Sequence, residues 1–441
     1  MTITKSNEAL GFMVAAYSSL QRLTMKIFIA MLPVVMASVT CLSAMAQQLP
    51  TQPEQVGLSS ERLKRVDAFL ERLKTQGKLA GAVTLVARRG QVVSLKAHGL
   101  ADVETKRPMR IDDIFQIQSM SKPVATVMAL MLLEEGRFLL SDPVAKFLPE
   151  FRDMKVAVVK ADAAEGYALV PAERNISIHD LLTHRAGFTG VPPTNSPAET
   201  LRRAAAQSLP KNGDFTLEQY SKHLAASPLE TQPGTTFKYG PSTVVLGRLI
   251  EVVAGQPLDK VLHDRLFKPL RMIDTSFVVP LEKQPRIAPA YSLSAKNILL
   301  KLPLDSLSPR FFSAGGNLWS TAADYLRFSQ MLLNGGEWEG QRLLSRKSIE
   351  LMTERHIENV ALPFMRGQYF GLGVAVRKAD GDSGLIGSPG TYGWSGGYNT
   401  YFRIDPHEKL IFMLFTQLAF SPDNLELQYG FHNAVMQAVV D

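Results

Sequence analysis

The segment Phe115-Gln-Ile-Gln-Ser119-Met-Ser-Lys122-Pro123-Val-Ala-Thr-Val-Met-Ala-Leu130 decides the fold, because a short strand pattern changes there into an apolar helical pattern. Ser119 and Lys122 are three residues apart, a spacing that places both on one face of a helical turn. Proline is tolerated only in the first turn of a helix, so Pro123 indicates that the helix begins near Ser119. A serine hydroxyl beside a neutral lysine amine can act as a nucleophile, and the segment is therefore a candidate catalytic centre.

The elements on either side of this segment follow a simple order along the chain. Hydrophobic spacing predicts helices over residues 57–76, 123–136, 177–184, 215–226, 244–253 and 424–440. Apolar runs predict strands over residues 81–88, 91–97, 113–117, 371–377, 399–405 and 409–416. Two long connections, 155–174 and 281–310, show neither pattern. We therefore expect one layer of sheet and helices, built from residues 57–136 and 311–441, with a mostly helical insertion over 137–310.

Composition excludes several classes of protein. The 441 residues are 46% hydrophobic and 20% charged, which is ordinary for a globular protein. The formal net charge of +7 is mild, and no lysine or arginine run is interleaved with aromatic residues, so no nucleic-acid partner is expected. The eight histidines are scattered without metal-ligand spacing. We therefore expect neither a catalytic metal nor another cofactor.

A targeting segment is predicted near the N-terminus. Met25-Lys26 provides a second start with a positive flank, residues 27–42 are apolar, and Ser43-Ala-Met-Ala46 has the small-x-small pattern of a signal-peptidase site. The apolar run is too short for a membrane span. The pattern predicts a signal peptide over 25–46 that is cleaved after Ala46, with 1–24 as an extended n-region or an unused upstream start. An uncleaved anchor is the alternative.

The predicted mature domain, residues 47–441, would then be periplasmic or secreted, without stable membrane insertion. The only cysteine of the sequence, Cys41, lies in the signal segment. The mature domain would therefore have neither a disulfide nor a thiol nucleophile. The sequence does not indicate the oligomeric state.

Two further segments follow Ser119 in order. A Ser-x-x-Lys match alone is expected about once by chance in a chain of this length, and a second match, Ser208 to Lys211, contains a proline that predicts a loop. The segment Pro233-Gly-Thr-Thr-Phe-Lys-Tyr239-Gly-Pro241 precedes an apolar helix, and Tyr392-Gly-Trp394-Ser-Gly396-Gly397 precedes a strand. We call Ser119–Lys122, Tyr239–Pro241 and Trp394–Gly396 the first, second and third boxes.

With these ordered boxes, most of residues 57–440 resembles the class C β-lactamase and penicillin-binding-protein superfamily of serine hydrolases, and most closely its family VIII carboxylesterases. The resemblance implies an α+β, β-lactamase/transpeptidase-like fold, in which helices flank an antiparallel sheet and a mostly helical subdomain is inserted. It implies that Ser119 is the acylated nucleophile and that Lys122, with a lowered pKa, takes the serine proton. Tyr239 would share the proton network and return a proton to the leaving group.

The resemblance also assigns the oxyanion hole and the substrate contacts. The backbone N–H groups of Ser119 and Gly397 would form the oxyanion hole. The third box would bind substrate through Trp394, Ser395 and Gly396. Two positions depart from the superfamily pattern. Pro241 replaces an asparagine or serine that makes a polar contact, and Trp394 replaces a cation that meets a substrate carboxylate. Tryptophan is common at the latter place in family VIII esterases.

Both departures favour a neutral, apolar substrate. We expect a serine carboxylesterase that hydrolyses small-molecule, short-chain acyl esters through a Ser119 acyl-enzyme, and weak β-lactam hydrolysis could accompany this activity. One alternative is a class C-like β-lactamase or D-Ala-type peptidase. Another is a catalytically silent penicillin-binding-like module.

Other candidate residues are predicted to be structural. Gly393-Trp-Ser395-Gly-Gly397 fits the G-x-S-x-G elbow of α/β-hydrolases, but a strand pattern follows it where that elbow needs a helix. His184 is expected to make a structural hydrogen bond. Asp324 is expected to belong to a capping arrangement at a helix N-terminus.

Overall fold

A sheet that combines strands from both ends of the chain organises the molecule. The structure is a computed structural model that describes residues 51–441 except 192, 211–213, 305–309, 359–364, 380–383 and 421–424. The predicted signal peptide over 25–46 lies outside the described residues and stays a prediction.

The helices in chain order are α1 (Ser60–Thr75), α2 (Ser121–Glu134), α3 (Ile178–Leu182), α4 (Pro197–Ala206), α5 (Leu217–Ala225), α6 (Ser242–Ala254), α7 (Leu258–Leu262), α8 (Ala322–Leu333), α9 (Arg346–Thr353) and α10 (Leu425–Met436). The strands in chain order are β1 (Gly81–Arg88), β2 (Gln91–Asp102), β3 (Arg107–Pro108), β4 (Phe115–Gln116), β5 (Lys155–Val159), β6 (Tyr167–Pro171), β7 (Tyr291–Leu293), β8 (Leu299–Lys301), β9 (Trp319–Ser320), β10 (Glu337–Trp338), β11 (Gln341–Arg342), β12 (Gln368–Phe370), β13 (Ala375–Arg377), β14 (Tyr392–Ser395), β15 (Tyr401–Asp405) and β16 (Leu410–Phe415).

The largest sheet among the described residues is antiparallel, with the order β12-β13-β14-β15-β16-β1-β2-β3. The N-terminal hairpin joins the C-terminal strands where β1 pairs with β16, in the register that sets Val83 opposite Phe415. The predicted hairpin of β15 and β16 is present, with Asp405 opposite Leu410. The strands of this sheet come from residues 81–108 and 368–415, and the described strands between them form four separate two-stranded sheets.

Helices cover both faces of the sheet, which explains why β1 is buried along its whole length. Successive strand residues point to opposite faces. Ala82 and Val86 therefore lie in a cluster with apolar residues of α1 and α10. Val83 and Leu85 lie in the larger cluster that includes residues of α2, α6 and α8.

Helix α2 is the central helix of the larger cluster. Its sequence is apolar all round, and residues from Ser121 to Leu130 are buried without interruption. A helix that is apolar on every side needs partners on every side. Helix α6, which follows the second box, is one of those partners. The hydroxyl of Tyr325 in α8 is another contact, because it donates to the carbonyl of Met120 at 2.9 Å.

The structure corrects three details of the sequence interpretation. Residues 155–174, expected to be irregular, contain the hairpin of β5 and β6, and the connection 281–310 contains β7 and β8. The single strand expected over 371–377 is a break followed by β13, which pairs with β12. The strand expected at 113–117 is the short β4, and it pairs with β9 outside the main sheet. Among the described residues, no helix has the length and apolar character of a membrane span.

Candidate active site

Ser119 and Lys122 lie side by side in the structure. Ser119 is in a 3-10 turn, Gln118–Met120, and Lys122 is in the first turn of α2. The Lys122 Nζ donates to Ser119 Oγ at 2.9 Å and to the carbonyl of Gly315 at 2.6 Å. Only 6% of Lys122 is exposed. The amine is therefore held against the hydroxyl by burial and by the Gly315 carbonyl.

The turn that carries Ser119 has an unusual backbone. Gln118 has a φ of +47°, a left-handed conformation that few non-glycine residues adopt. Ser121 stabilises the turn, since its hydroxyl donates to the Gln118 carbonyl at 2.7 Å and accepts from the Leu318 N–H at 3.2 Å. Backbone strain of this kind clusters at functional sites.

Tyr239 of the second box lies next to Lys122. The Lys122 Nζ lies 4.8 Å from the centre of the Tyr239 ring. The Tyr239 carbonyl accepts a hydrogen bond from the Val191 N–H at 2.7 Å, which ties the second box to a neighbouring loop. Helix α6 begins directly after Pro241. The two boxes therefore come together although 117 positions separate Lys122 from Tyr239 in the sequence.

The Trp394 side chain does not lie in the substrate-binding position that the sequence predicts. Its side chain is 2% exposed and does not line the cavity at Ser119. Instead its Nε1–H donates to the Tyr239 hydroxyl at 3.0 Å, and its ring packs edge-on against Phe370. The indole therefore faces the phenol of Tyr239. The structure thus replaces the expected substrate contact of Trp394 with a contact that fixes Tyr239.

His184 supports the second box from within the core. It is buried, its Nδ1 accepts from the Gly240 N–H at 3.4 Å, and its carbonyl accepts from the Lys238 N–H at 2.8 Å. Burial lowers the pKa of His184 well below its usual value, and the nearby Lys122 lowers it further. The imidazole is therefore neutral at neutral pH, and the predicted structural hydrogen bond is present.

The end of the third box lies against the turn that carries Ser119. A Cβ on Gly396 would overlap the carbonyl oxygen of Ile117, so only glycine allows this approach. A Cβ on Gly397 would lie 3.8 Å from Gln118 Cγ. In the described part of the chain, the Gly397 N–H has no hydrogen-bond acceptor. Gly396 belongs to this backbone contact, and neither Ser395 nor Gly396 is among the described residues that line the cavity.

A cavity of about 380 Å³ opens at Ser119. Its described lining contains Ser119, Lys122, Thr189, Gly190, Val191, Arg202, Tyr220, Tyr239, Gly240, Pro241, Val244, Ser313, Gly315, Gly316 and Asn317. The sequence interpretation did not include Arg202, Tyr220 or Asn317. They come from α4, α5 and the loop before β9, and no local motif links those segments to Ser119. A cation or aromatic residue in an insertion helix is too common to single out without the fold.

The remaining candidates lie outside this centre. Ser208 donates to the carbonyl of Ala205 at 2.7 Å, and Lys211 lies outside the described residues. Asp324 has its N–H capped by Thr321, while its carboxylate accepts from the Asp274 N–H at 2.7 Å. The expected capping arrangement is present, with Thr321 as the N-cap. No three histidine, cysteine, aspartate or glutamate side chains gather as metal ligands among the described residues.

A lysine amine, rather than a histidine, faces the serine hydroxyl, and this contact is typical of the lysine-assisted serine hydrolases. The chain belongs to the beta-lactamase family, because the family model described as "Beta-lactamase" matches residues 66–433. The predicted α+β fold, with a large antiparallel sheet and flanking helices, is confirmed by this match and by the solved structure below.

Three related proteins show the range of named activities. Esterase EstB of Burkholderia gladioli is 34% identical over 214 residues, which cover 48% of this chain and 51% of EstB. A protein of Salmonella typhi, provisionally named a D-alanyl-D-alanine carboxypeptidase, is 28% identical over 416 residues and covers 86% of this chain and 89% of itself. The solved structure of EstCE1, described as a hydrolase with promiscuous acyltransferase activity, has a TM-score of 0.71 and 27% identity, and covers 86% of this chain and 99% of EstCE1. Membership therefore establishes a serine hydrolase without fixing the substrate.

Proposed function

We propose that the protein is a carboxylesterase that hydrolyses short-chain acyl esters through an acyl-enzyme on Ser119. The observation that supports this most directly is the 2.9 Å contact between the Lys122 amine and the Ser119 hydroxyl. The described residues offer that amine no carboxylate partner, and its second contact is with the Gly315 carbonyl. An unprotonated Lys122 amine can keep both contacts and still accept the proton of the Ser119 hydroxyl.

The proposed reaction has two halves. Ser119 Oγ attacks the ester carbonyl while Lys122 accepts the hydroxyl proton. The N–H groups of Ser119 and Gly397 stabilise the oxyanion that forms. Tyr239 returns a proton to the departing alcohol, and the acyl group stays on Ser119. Water then attacks the acyl-enzyme while the same lysine and tyrosine pair accepts one of its protons. The bond between the acyl carbon and Ser119 Oγ breaks, the pair returns the proton to Oγ, and the carboxylic acid departs.

The second and third boxes lack the polar and cationic side chains that would bind a β-lactam or a peptide, and this favours an ester as the substrate. Pro241 has no side-chain donor for a substrate amide. Trp394 supplies no cation for a substrate carboxylate, and its indole N–H already bonds to Tyr239. The competing proposal is a D-Ala-type peptidase or β-lactamase, which the name of the Salmonella relative favours.

The test compares hydrolysis of p-nitrophenyl butyrate and of a chromogenic cephalosporin by the wild type, Ser119→Ala and Lys122→Ala. We expect ester turnover in the wild type and a loss of at least about 1000-fold in kcat for either variant. Lys238→Ala is the matched control, because Lys238 is next to Tyr239 in sequence but pairs with Glu230 at 3.4 Å. It should keep nearly all activity.

Each other outcome points to a different conclusion. Ester turnover that survives Ser119→Ala would contradict the mechanism. Rapid cephalosporin turnover without ester turnover would support the β-lactamase or peptidase alternative. No turnover of either substrate would support a silent penicillin-binding-like module.

A further inference from the structure

A single arginine is the charged group of the active-site cavity that the proposed reaction does not use. Arg202 lies in α4 and lines the cavity together with Ser119 and Lys122. None of the described lining residues is acidic. The lining therefore carries a cation that an apolar ester does not require.

Arg202 is held in place from behind. Its Nε and Nη2 donate to the two carboxylate oxygens of Glu199 at 3.0 and 2.8 Å. The Glu199 side chain is 4% exposed, and the hydrogen bond from Arg202 is the main cause that lowers the pKa of Glu199 to about 2. A paired, buried carboxylate of this kind fixes the orientation of the guanidinium group.

Glu199 does not neutralise the charge of Arg202 completely, because its one carboxylate pairs with two arginines, Arg202 and Arg203. Arg203 Nε also donates to Glu199 at 2.8 Å. The group of two guanidinium ions and one carboxylate therefore keeps a net charge of about +1. Glu199 occupies two of the nitrogen atoms of Arg202, and in the described part of the chain Arg202 Nη1 has no acceptor. The Arg202 side chain is 30% exposed and lines the cavity, where a ligand can reach it.

We propose that Arg202 is a specificity-determining residue that binds a carboxylate of the substrate, so that the preferred substrate is an ester that carries an acid group away from the scissile bond. This inference rests on the proposed function. It moves the recognition of a substrate anion from the third box, where Trp394 is buried, to the helical insertion. The carboxylate can belong to the acyl group or to the alcohol, and the experiment separates these two cases.

The acyl case is tested with p-nitrophenyl valerate and mono-p-nitrophenyl glutarate, which share the leaving group and the acyl length and differ by the terminal carboxylate. The alcohol case is tested with the butyrate esters of 4-ethylphenol and 4-hydroxyphenylacetic acid. In at least one pair, Arg202→Met should lower kcat/KM of the acidic ester by about tenfold, mainly through KM. The neutral ester of that pair should change by less than about twofold.

Arg203→Met is the matched control, because it removes the other cation from Glu199 but Arg203 does not line the cavity. It should leave the ratio of acidic to neutral ester unchanged. Arg202→Lys should recover part of the preference, since it keeps the charge without the fork geometry. Equal losses for acidic and neutral esters in Arg202→Met, or an unchanged ratio in both pairs, would overturn the inference.

Failure of the proposed function is visible separately. If the wild type hydrolyses none of these esters, the esterase proposal fails, and binding of monomethyl glutarate to Ser119→Ala by calorimetry decides the inference alone. In the Ser119→Ala protein, millimolar binding of monomethyl glutarate that is abolished by adding Arg202→Met and kept on adding Arg203→Met would support the Arg202 site. Absence of binding, or equal binding by all three proteins, would overturn it.

Discussion

The indole N–H of Trp394 is the group that orients the hydroxyl of Tyr239. The two are joined by a 3.0 Å hydrogen bond, and their ring centres are 5.5 Å apart. A phenol that must accept and return a proton works only if its oxygen stays within reach of the reacting atoms. Trp394 is therefore a positioning residue.

Trp394→Phe should lower kcat for a neutral ester by about five- to tenfold with little change in KM, because it removes one hydrogen bond of about 1 kcal/mol and keeps the aromatic packing. The kcat and KM values of p-nitrophenyl butyrate hydrolysis check this. Trp338→Phe is the control, because the Trp338 Nε1 is buried without a hydrogen-bond partner among the described residues. It should leave kcat unchanged. A change in KM alone for Trp394→Phe would return Trp394 to a role in substrate binding.

Single residues differ in how far the sequence can predict them. The contact of Ser119 with Lys122 follows from a spacing of three residues in one helical turn, so it could be predicted. The direction of the Trp394 side chain depends on which face of β14 turns toward Tyr239. Arg202 reaches the cavity only through the packing of the insertion. Neither fact is present in a local pattern.

At the scale of elements, the break between β12 and β13 is a packing contact against α2. The Gly371 N–H donates to the Val374 carbonyl at 2.9 Å, and Gly373 has a φ of +70°. A Cβ on Gly373 would overlap the hydroxyl of Thr126. Thr126 is four residues after Lys122 in α2, on the same face. The break therefore supports the helix that carries the candidate base.

Gly373→Ala should destabilise the protein by about 1 kcal/mol for the left-handed backbone and by about 1–3 kcal/mol more for the overlap with Thr126. Gly136→Ala is the matched control, because Gly136 has a φ of +68° and a Cβ there would have no neighbour within 4 Å. Urea unfolding of both variants measures the difference. Equal destabilisation would show that the contact with α2 carries no energy.

This element also shows why the sequence interpretation of residues 371–377 was wrong. Alternating glycine and apolar residues are compatible with a strand, and the apolar residues of the break are indeed buried, as strand residues would be. The close approach of α2 decides the outcome, and that helix is far away in the sequence. Helix α1 was predictable because its Ser59 cap and its apolar spacing are local, and helix α2 because Pro123 and the apolar run that follows it are local.

At the scale of the whole molecule, the sheet depends on the pairing of β1 with β16. The sequence predicts both strands and an α/β layer from both chain ends, but not the register, which long-range packing sets.

The same packing buries two titratable groups on the two sides of the sheet. His432 of α10 accepts from the Tyr401 hydroxyl at 2.7 Å and donates to the Ile386 carbonyl at 2.6 Å. Asp324 of α8 bonds to the Thr275 hydroxyl at 3.0 Å.

These two groups should act on stability in opposite directions as the pH falls. Burial, together with the nearby Arg403, lowers the pKa of His432 to about 3, below its unfolded value of about 6.5. As the pH falls, the unfolded chain then binds the proton first. The contribution of neutral, buried His432 to the free energy of unfolding is therefore complete above about pH 6.5 and is lost on acidification. Burial raises the pKa of Asp324 to about 6, above its unfolded value of about 3.9. The folded chain then binds the proton first, so stability is gained between about pH 6 and pH 4.

The two contributions can be separated by measuring the free energy of unfolding in urea at pH 7, 6, 5 and 4.5 for the wild type, His432→Gln and Asp324→Asn. Between pH 6.5 and 4.5 the wild type should lose stability relative to His432→Gln. Over nearly the same range it should gain stability relative to Asp324→Asn. Each change should be on the order of 2 kcal/mol, because one pKa unit corresponds to about 1.4 kcal/mol. Since the other titrating groups are common to the three proteins, parallel pH profiles would contradict both assignments, and one parallel profile would contradict the assignment of that residue.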